Sequence, residues 1–169
     1  MKLRIRQTYF KLGEEFNITD EANRPLFYAR GKFFSIRGEL AFSNANGQLI
    51  YRLVGRFMHI FSWFDILDER ENVIGAIDER MHMPFMRRGI ILMNGEKKIK
   101  IKCGPVHLKA LMKDENGKWD KKNPVCRAKK KIMRIADTYE LEFDQTRIDP
   151  AMAALVGIWY DRVKHGKQH

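Results

Sequence analysis

Alternating apolar and polar residues fill the first half of the chain, and the pattern repeats every 24 positions. The apolar positions that recur with this spacing are Phe16, Leu40 and Phe64, and likewise Ile18, Phe42 and Ile66. Polar residues that begin a turn recur in the same way, at Asp20, Asn44 and Asp68. A second apolar run follows each turn. Each unit is therefore predicted to form a strand, a tight turn and a strand.

The second half continues this pattern less regularly. A hairpin is predicted from residues 90–93 and 99–102 around the turn Asn94-Gly95-Glu96-Lys97, and a wider one from 106–112 and 125–135. A last strand places Tyr139, Leu141 and Phe143 on one face. The hairpins together predict about a dozen strands.

One convincing helix follows, over Asp149–Gly166. Asp149 is a good N-cap, Pro150 suits the first helical position, and Gly166 suits the residue after the last turn. The helix is apolar on every side, so in water it has to be surrounded by protein. A membrane-spanning helix is disfavoured, because the uncharged run between Asp149 and Asp161 holds 11 residues and a span needs about 20.

Strands can surround such a helix by closing into a barrel. A solenoid or propeller would also give a repeat of this period, but a solenoid would leave the apolar helix uncovered. A dozen strands also enclose more volume than their own side chains fill. We therefore expect a single mainly β domain over residues 1–169. It is a closed antiparallel barrel of roughly twelve strands, with a central helix at about 150–165.

Three stretches resemble the LURP-one-related family over essentially the whole chain, from Arg4 to about Val163. They are the opening R-I-R-Q-T-Y-F-K-L-G-E-E-F-N-I-T-D-E, the repeated G-K-F-F-S and G-R-F-M-H, and the final apolar helix. The resemblance implies the tubby C-terminal fold, shared with the phospholipid scramblases, in which twelve strands enclose a C-terminal hydrophobic helix. This agrees with the barrel expected from the helix alone.

The same resemblance implies a link to membranes or to defence signalling in plants, since tubby domains bind phosphoinositides through basic residues on the barrel surface. No tubby phosphate-binding motif is matched residue by residue, so no site residue is carried over. Scramblases are associated with calcium, but the acidic turn Asp114–Gly117 is too short and sparse for an EF-hand loop. No cofactor is expected.

Known catalytic patterns are not found. The sequence contains no P-loop, no dinucleotide-binding glycine fingerprint and no G-x-S-x-G elbow, and its five histidines lack metal-ligand spacing. Cys103 and Cys126 form no C-x-x-C pair and are expected to be free thiols of a cytosolic protein. The basic N-terminus has no apolar run behind it and is not a signal peptide. We expect a non-enzymatic, monomeric, cytoplasmic protein without a transmembrane segment, peripheral to a membrane where it binds one.

Positive charge is concentrated in one stretch. Residues 87–134 contain 16 of the 32 lysines and arginines but 4 of the 21 acidic residues, a net charge of +12, whereas the rest of the chain has a net charge of −1. Alternation puts Lys98, Lys100 and Lys102 on one strand face and Ile99 and Ile101 on the other. The candidate anion-binding residues are these three lysines together with Arg127, Lys129, Lys130, Lys131 and Arg134 on a later strand.

Two functions fit this charge. The first is docking on anionic phospholipid or phosphoinositide headgroups. The alternative is a nucleic-acid-binding or other regulatory protein that uses the same basic residues, because the phosphates of lipids and of nucleic acids attract these residues equally. No recognition helix or RNA-stacking motif supports the alternative. Two further readings stay open: a solvated face that only maintains solubility, and an enzyme acting on a ligand at one barrel end.

Overall fold

Twelve antiparallel strands and one helix make up the described part of the protein. A computed structural model describes residues 1–10, 13–32, 38–56, 63–83, 86–94, 96–103, 107–113, 116–130 and 138–165. The first six strands are β1 (Lys2–Phe10), β2 (Gly13–Thr19), β3 (Pro25–Gly31), β4 (Glu39–Asn44), β5 (Leu49–Gly55) and β6 (Trp63–Leu67). The other six are β7 (Val73–Met83), β8 (Met86–Met93), β9 (Glu96–Cys103), β10 (His107–Leu111), β11 (Cys126–Lys130) and β12 (Thr138–Phe143). The helix α1 spans Pro150–His165.

The strands close into a barrel in which each strand pairs with its neighbours in sequence and β1 pairs with β12. Leu3 lies opposite Leu141 and Ile5 opposite Tyr139 across the closing pair. Two backbone hydrogen bonds reinforce the closure, because the Met1 amino group donates to Phe143 O at 3.0 Å and Phe143 N–H donates to Met1 O at 2.9 Å. Closure removes the exposed strand edges that a solenoid or open sheet would keep. The predicted twelve-stranded barrel is confirmed.

Helix α1 runs through the interior of this barrel. The Asp149 carboxylate accepts a hydrogen bond from Met152 N–H at 2.9 Å, so the predicted N-cap is confirmed. Every residue from 151 to 161 is buried, including Leu155 and Ile158 at 0% exposure. The helix therefore fills the core, as its all-round apolarity predicts. Within the described residues, no helix has the length and apolarity needed to cross a membrane.

The helix fits the barrel wall through small residues on both partners. The Tyr139 hydroxyl donates a buried hydrogen bond of 2.6 Å to the Gly157 carbonyl, and a Cβ at Gly157 would lie 2.3 Å from Ile5 Cδ1. On β8, a Cβ at Gly89 would come within 2.8 Å of the Trp159 ring. Glycines on the helix and on the wall thus let an indole and a helix backbone approach the strands closely.

The 24-residue repeat corresponds to successive hairpins. Its apolar positions all point into the barrel, with Phe16, Ile18, Leu40, Phe42 and Ile66 at 0% exposure and Phe64 at 2%. The next set in the repeat, Leu26, Ile50 and Ile74, is partly buried and packs against the same core. The same hairpin structure therefore occurs three times in succession, around half of the barrel.

The polar positions of the repeat form three equivalent turns at the barrel end where α1 enters, here called the lower end. Asp20, Asn44 and Asp68 each accept hydrogen bonds from the backbone N–H groups two and four residues later, at 2.8–3.0 Å. The third residue after each has a positive φ: 61° at Asn23, 80° at Gly47 and 63° at Glu71. A side-chain oxygen thus replaces a backbone acceptor in each turn.

These turns predict a specific dependence of stability on pH. Hydrogen bonds from Arg24 and from Asn72 lower the pKa values of Asp20 and Asp68, respectively, below the ordinary value. A carboxylate with a lowered folded pKa stabilises the protein above the unfolded value of about 3.9, and this contribution is lost as the pH falls through the folded pKa. The free energy of unfolding in urea should therefore decrease in acid.

Because Asn44 makes the same turn without a charge, it provides the matched variants for this prediction. The double variant Asp20→Asn/Asp68→Asn should keep the fold and show a smaller acid-induced loss of stability, whereas Asn44→Asp should show a larger one. An unchanged pH profile in both variants would mean that these turns do not contribute to acid sensitivity.

Candidate basic binding surface

The strongly basic stretch of the sequence forms four adjacent strands, β8 to β11. On β9, Ile99 and Ile101 are buried at 2% and 0% exposure. Lys98 is exposed, and Lys100 and Lys102 are half-buried. The predicted alternation of this strand is confirmed, and it turns the lysines away from the barrel interior.

Strand pairing aligns four basic residues in a line across these strands. Arg88 on β8 lies opposite Lys102 on β9, Lys102 lies opposite Lys109 on β10, and Lys109 lies opposite Arg127 on β11. We call these four residues the basic row. Neighbouring strands are about 4.8 Å apart, so the row is roughly 14 Å long. Lys109 and Arg127 are exposed, and Arg88 and Lys102 are half-buried.

Within the described part of the chain, no member of the basic row forms a salt bridge. Arginines elsewhere in the barrel do: the pairs are Arg4–Glu140, Arg24–Asp20, Arg30–Glu15, Arg52–Glu39 and Arg56–Asp65. Like charges directly opposite each other destabilise a sheet. The row therefore carries an electrostatic cost and a positive potential that no neighbouring carboxylate in the described residues neutralises by direct contact.

A tryptophan lies next to the row, nearer the lower end. The Lys100 ammonium is 5.6 Å from the centre of the Trp119 ring and the Lys113 ammonium is 6.0 Å from it. Trp119 lies in the connection between β10 and β11 and forms an isolated bridge with Lys113. Each cation–π contact at an exposed site is worth about 0.5–1 kcal/mol. Two ammonium groups thus lie over the Trp119 ring through weak interactions.

Lys98 lies in a different local environment on the same face. Its ammonium forms an ion pair with Glu96. The hydrogen bond from Lys98, and to a smaller extent the charge of Lys113, lowers the pKa of the Glu96 carboxyl. Glu96, Lys98, Met112 and Lys113 line an open groove of about 380 Å³. A carboxylate therefore already balances the charge of Lys98.

The predicted site residues are only partly brought together. Lys102 and Arg127 enter the basic row, while Lys98 and Lys100 lie below it on β9. Lys129 and Lys130 belong to β11, where they pair with His107 and Tyr139 respectively. Lys131 and Arg134 lie outside the described residues. The sequence-based prediction omitted Arg88 and Lys109, although both fall in the basic stretch 87–134.

The two cysteines are free, as predicted, and both are buried. Burial raises the pKa of the Cys126 thiol to about 12, so this sulfur stays protonated at neutral pH. Its role is therefore packing: it lies on β11 with its neighbours Val125 and Ala128 in the barrel core.

Comparison with known proteins places the chain in a family. The family model described as LURP-one-related matches residues 1–161. Among solved structures, an X-ray structure of an Arabidopsis thaliana protein superimposes with a TM-score of 0.62 at 14% sequence identity, covering 97% of this chain and 92% of that one. At this identity the likeness concerns the fold alone. A search of curated proteins finds no match. Since the family model covers nearly the whole chain, the protein belongs to the LURP-one-related family.

Proposed function

We propose that the protein is a non-enzymatic binding module that docks on anionic phospholipid headgroups through the strands β8–β11. The observation that carries the proposal is the basic row, in which four cations lie side by side with no ion pair among the described residues. Glu142 on β12 lies opposite Arg127 but forms no salt bridge with it, and an anionic surface would supply the remaining countercharge. The expectation from the family resemblance, binding through basic residues on the barrel surface, agrees with this.

The size of the expected attraction favours weak and reversible docking. Each lysine or arginine near an anionic leaflet contributes about 1 kcal/mol. The four residues of the row would give about 4 kcal/mol, and Lys100 and Lys113 would raise this to about 6 kcal/mol, which corresponds to dissociation constants between roughly 1 mM and 40 µM. Screening makes such binding fall steeply with salt.

The shape of the surface favours lipid over nucleic acid. The outer face of β8–β11 is a sheet, and the helix α1, the one helix among the described residues, is enclosed in the barrel and cannot enter a major groove. A bilayer requires only a positive surface that can approach it. The half-buried Trp119 next to Lys100 also suits the bilayer interface, where tryptophan is enriched.

Vesicle co-sedimentation tests the proposal. At low salt the protein should pellet with vesicles of phosphatidylcholine mixed with phosphatidylserine, remain in the supernatant with phosphatidylcholine alone, and be released as salt is added. Equal pelleting with both compositions, or none with either, would contradict lipid docking. Short duplex DNA serves as the competitor: efficient displacement from the acidic vesicles would favour the nucleic-acid alternative instead.

A further inference from the structure

The connection between β10 and β11 differs from the other connections at the lower end. It contains 14 residues, whereas the connections after β2, β4, β6 and β8 contain between 2 and 5. Connections of this length without regular structure are uncommon in compact domains and are commonly functional. The extra chain carries Trp119 and the exposed lysines Lys118, Lys121 and Lys122.

This connection is fastened to the barrel. Asp120 N–H donates to Met112 O at 2.9 Å and Lys113 forms a bridge with Trp119, so a short antiparallel pairing joins residues 112–113 to residues 119–120. Beyond it, Arg147 donates to Asn123 O at 2.9 Å and contacts the Asp120 carboxylate at 3.6 Å. Trp119 is therefore held in a defined place beside β9.

The surroundings of Trp119 differ from those of the other tryptophans. Trp159 is completely buried in the core, and the Trp63 indole N–H donates to Asp65 at 3.2 Å. For the Trp119 indole N–H, no acceptor is found among the described residues, and the ring is half-buried under two ammonium groups. The headgroup layer of an anionic bilayer can interact with all three groups at the same time: it accommodates the ring, accepts a hydrogen bond from the indole N–H and pairs with the neighbouring cations.

We propose that Trp119 is the apolar anchor of the membrane-docking surface. The proposal rests on the lipid-binding function proposed above and specifies its geometry. On an anionic bilayer, lipid phosphates take the place of the indole as partners of Lys100 and Lys113, and the indole inserts among the headgroups. The lower end of the β9–β10 face is then the part of the barrel closest to the membrane.

Fluorescence quenching tests the insertion directly. Vesicles of phosphatidylserine mixed with phosphatidylcholine brominated at the headgroup end of its acyl chains should quench the emission of the wild-type protein, because bromine quenches an indole that lies close to it. Trp119→Phe should abolish this quenching, and Trp63→Phe, the matched control, should retain it. Trp119→Ala should weaken vesicle affinity about tenfold, since a large aromatic contact is lost.

The outcomes separate this inference from the function on which it rests. If the wild-type protein pellets with acidic vesicles but is quenched no more than Trp119→Phe, Trp119 does not insert and the anchor is refuted while lipid docking stands. If nothing pellets with acidic vesicles at low salt, both proposals fail. The melting temperature of Trp119→Phe, expected to stay near the wild-type value, shows that lost quenching does not arise from unfolding.

Discussion

Replacing Leu155 by aspartate should abolish the folded barrel. Leu155 has 0% exposure in the middle of α1, and strands surround the helix. Truncating a buried leucine costs about 2–5 kcal/mol, and an unpaired charge in the core adds several kcal/mol. The sum approaches or exceeds the total stability of about 5–15 kcal/mol that is typical of a domain. Near-ultraviolet circular dichroism should lose its signal, and no cooperative thermal transition should remain; Ile158→Asp should behave in the same way.

Two control variants separate the effect of charge from that of position. Val73→Asp introduces the same side chain at a site that is 59% exposed, and it should melt close to the wild-type temperature. Leu155→Met keeps the volume without the charge and should cost less than about 1.5 kcal/mol. If Leu155→Asp melts like the wild-type protein, the helix does not lie inside the barrel.

Removing three charges from the basic row is expected to weaken binding to acidic vesicles on the order of 100-fold at low salt. The variant is Lys102→Gln/Lys109→Gln/Arg127→Gln, and the estimate follows from about 1 kcal/mol for each cation near the bilayer. The same variant should be as stable as the wild-type protein or slightly more stable, because like charges opposite each other on adjacent strands are removed. Vesicle titration and a thermal melt measure the two effects on one sample.

The matched control is Arg6→Gln/Arg30→Gln/Arg70→Gln. These residues are exposed on β1, on β3 and in the turn before β7, and their loss lowers the net charge by the same amount. This control should lose much less affinity than the row variant. Equal losses in both variants would show that overall charge, and not the basic row, drives the attraction.

Most of the fold could be predicted from the polarity of particular residues. An apolar helix that is too short for a membrane needs a protein shell, and strands with buried faces such as Ile99–Ile101 and Tyr139–Phe143 provide it. The period of 24 predicts the turns because Asp20, Asn44 and Asp68 all have a side-chain oxygen that can accept backbone N–H groups. In these segments the local residue pattern favours the same structure that the barrel requires, so the sequence alone predicts it.

The basic row could not be predicted in the same way, because it depends on register between strands. A shift of one residue would exchange the two faces of a strand, and the pairing of β8 with β9 is itself displaced by a bulge between Ile91 and Leu92. The connection before β11 has 14 residues, so the sequence likewise does not predict which residue of β11 lies opposite Lys109. Trp119 belongs to that aperiodic connection, so no alternation pattern indicates that it stacks on Lys100.

The pairing of β1 with β12 also determines when the barrel can close during synthesis on the ribosome. The first strand is complete at Phe10, but its closing partner ends at Phe143, and the helix that fills the interior follows at Pro150. At about 5–20 residues per second, translation leaves the unfinished sheet open for on the order of 10 s, with its apolar face uncovered. The nascent barrel is thus most prone to aggregation just before α1 has been synthesised, and a chaperone that shields open sheets would act at that stage.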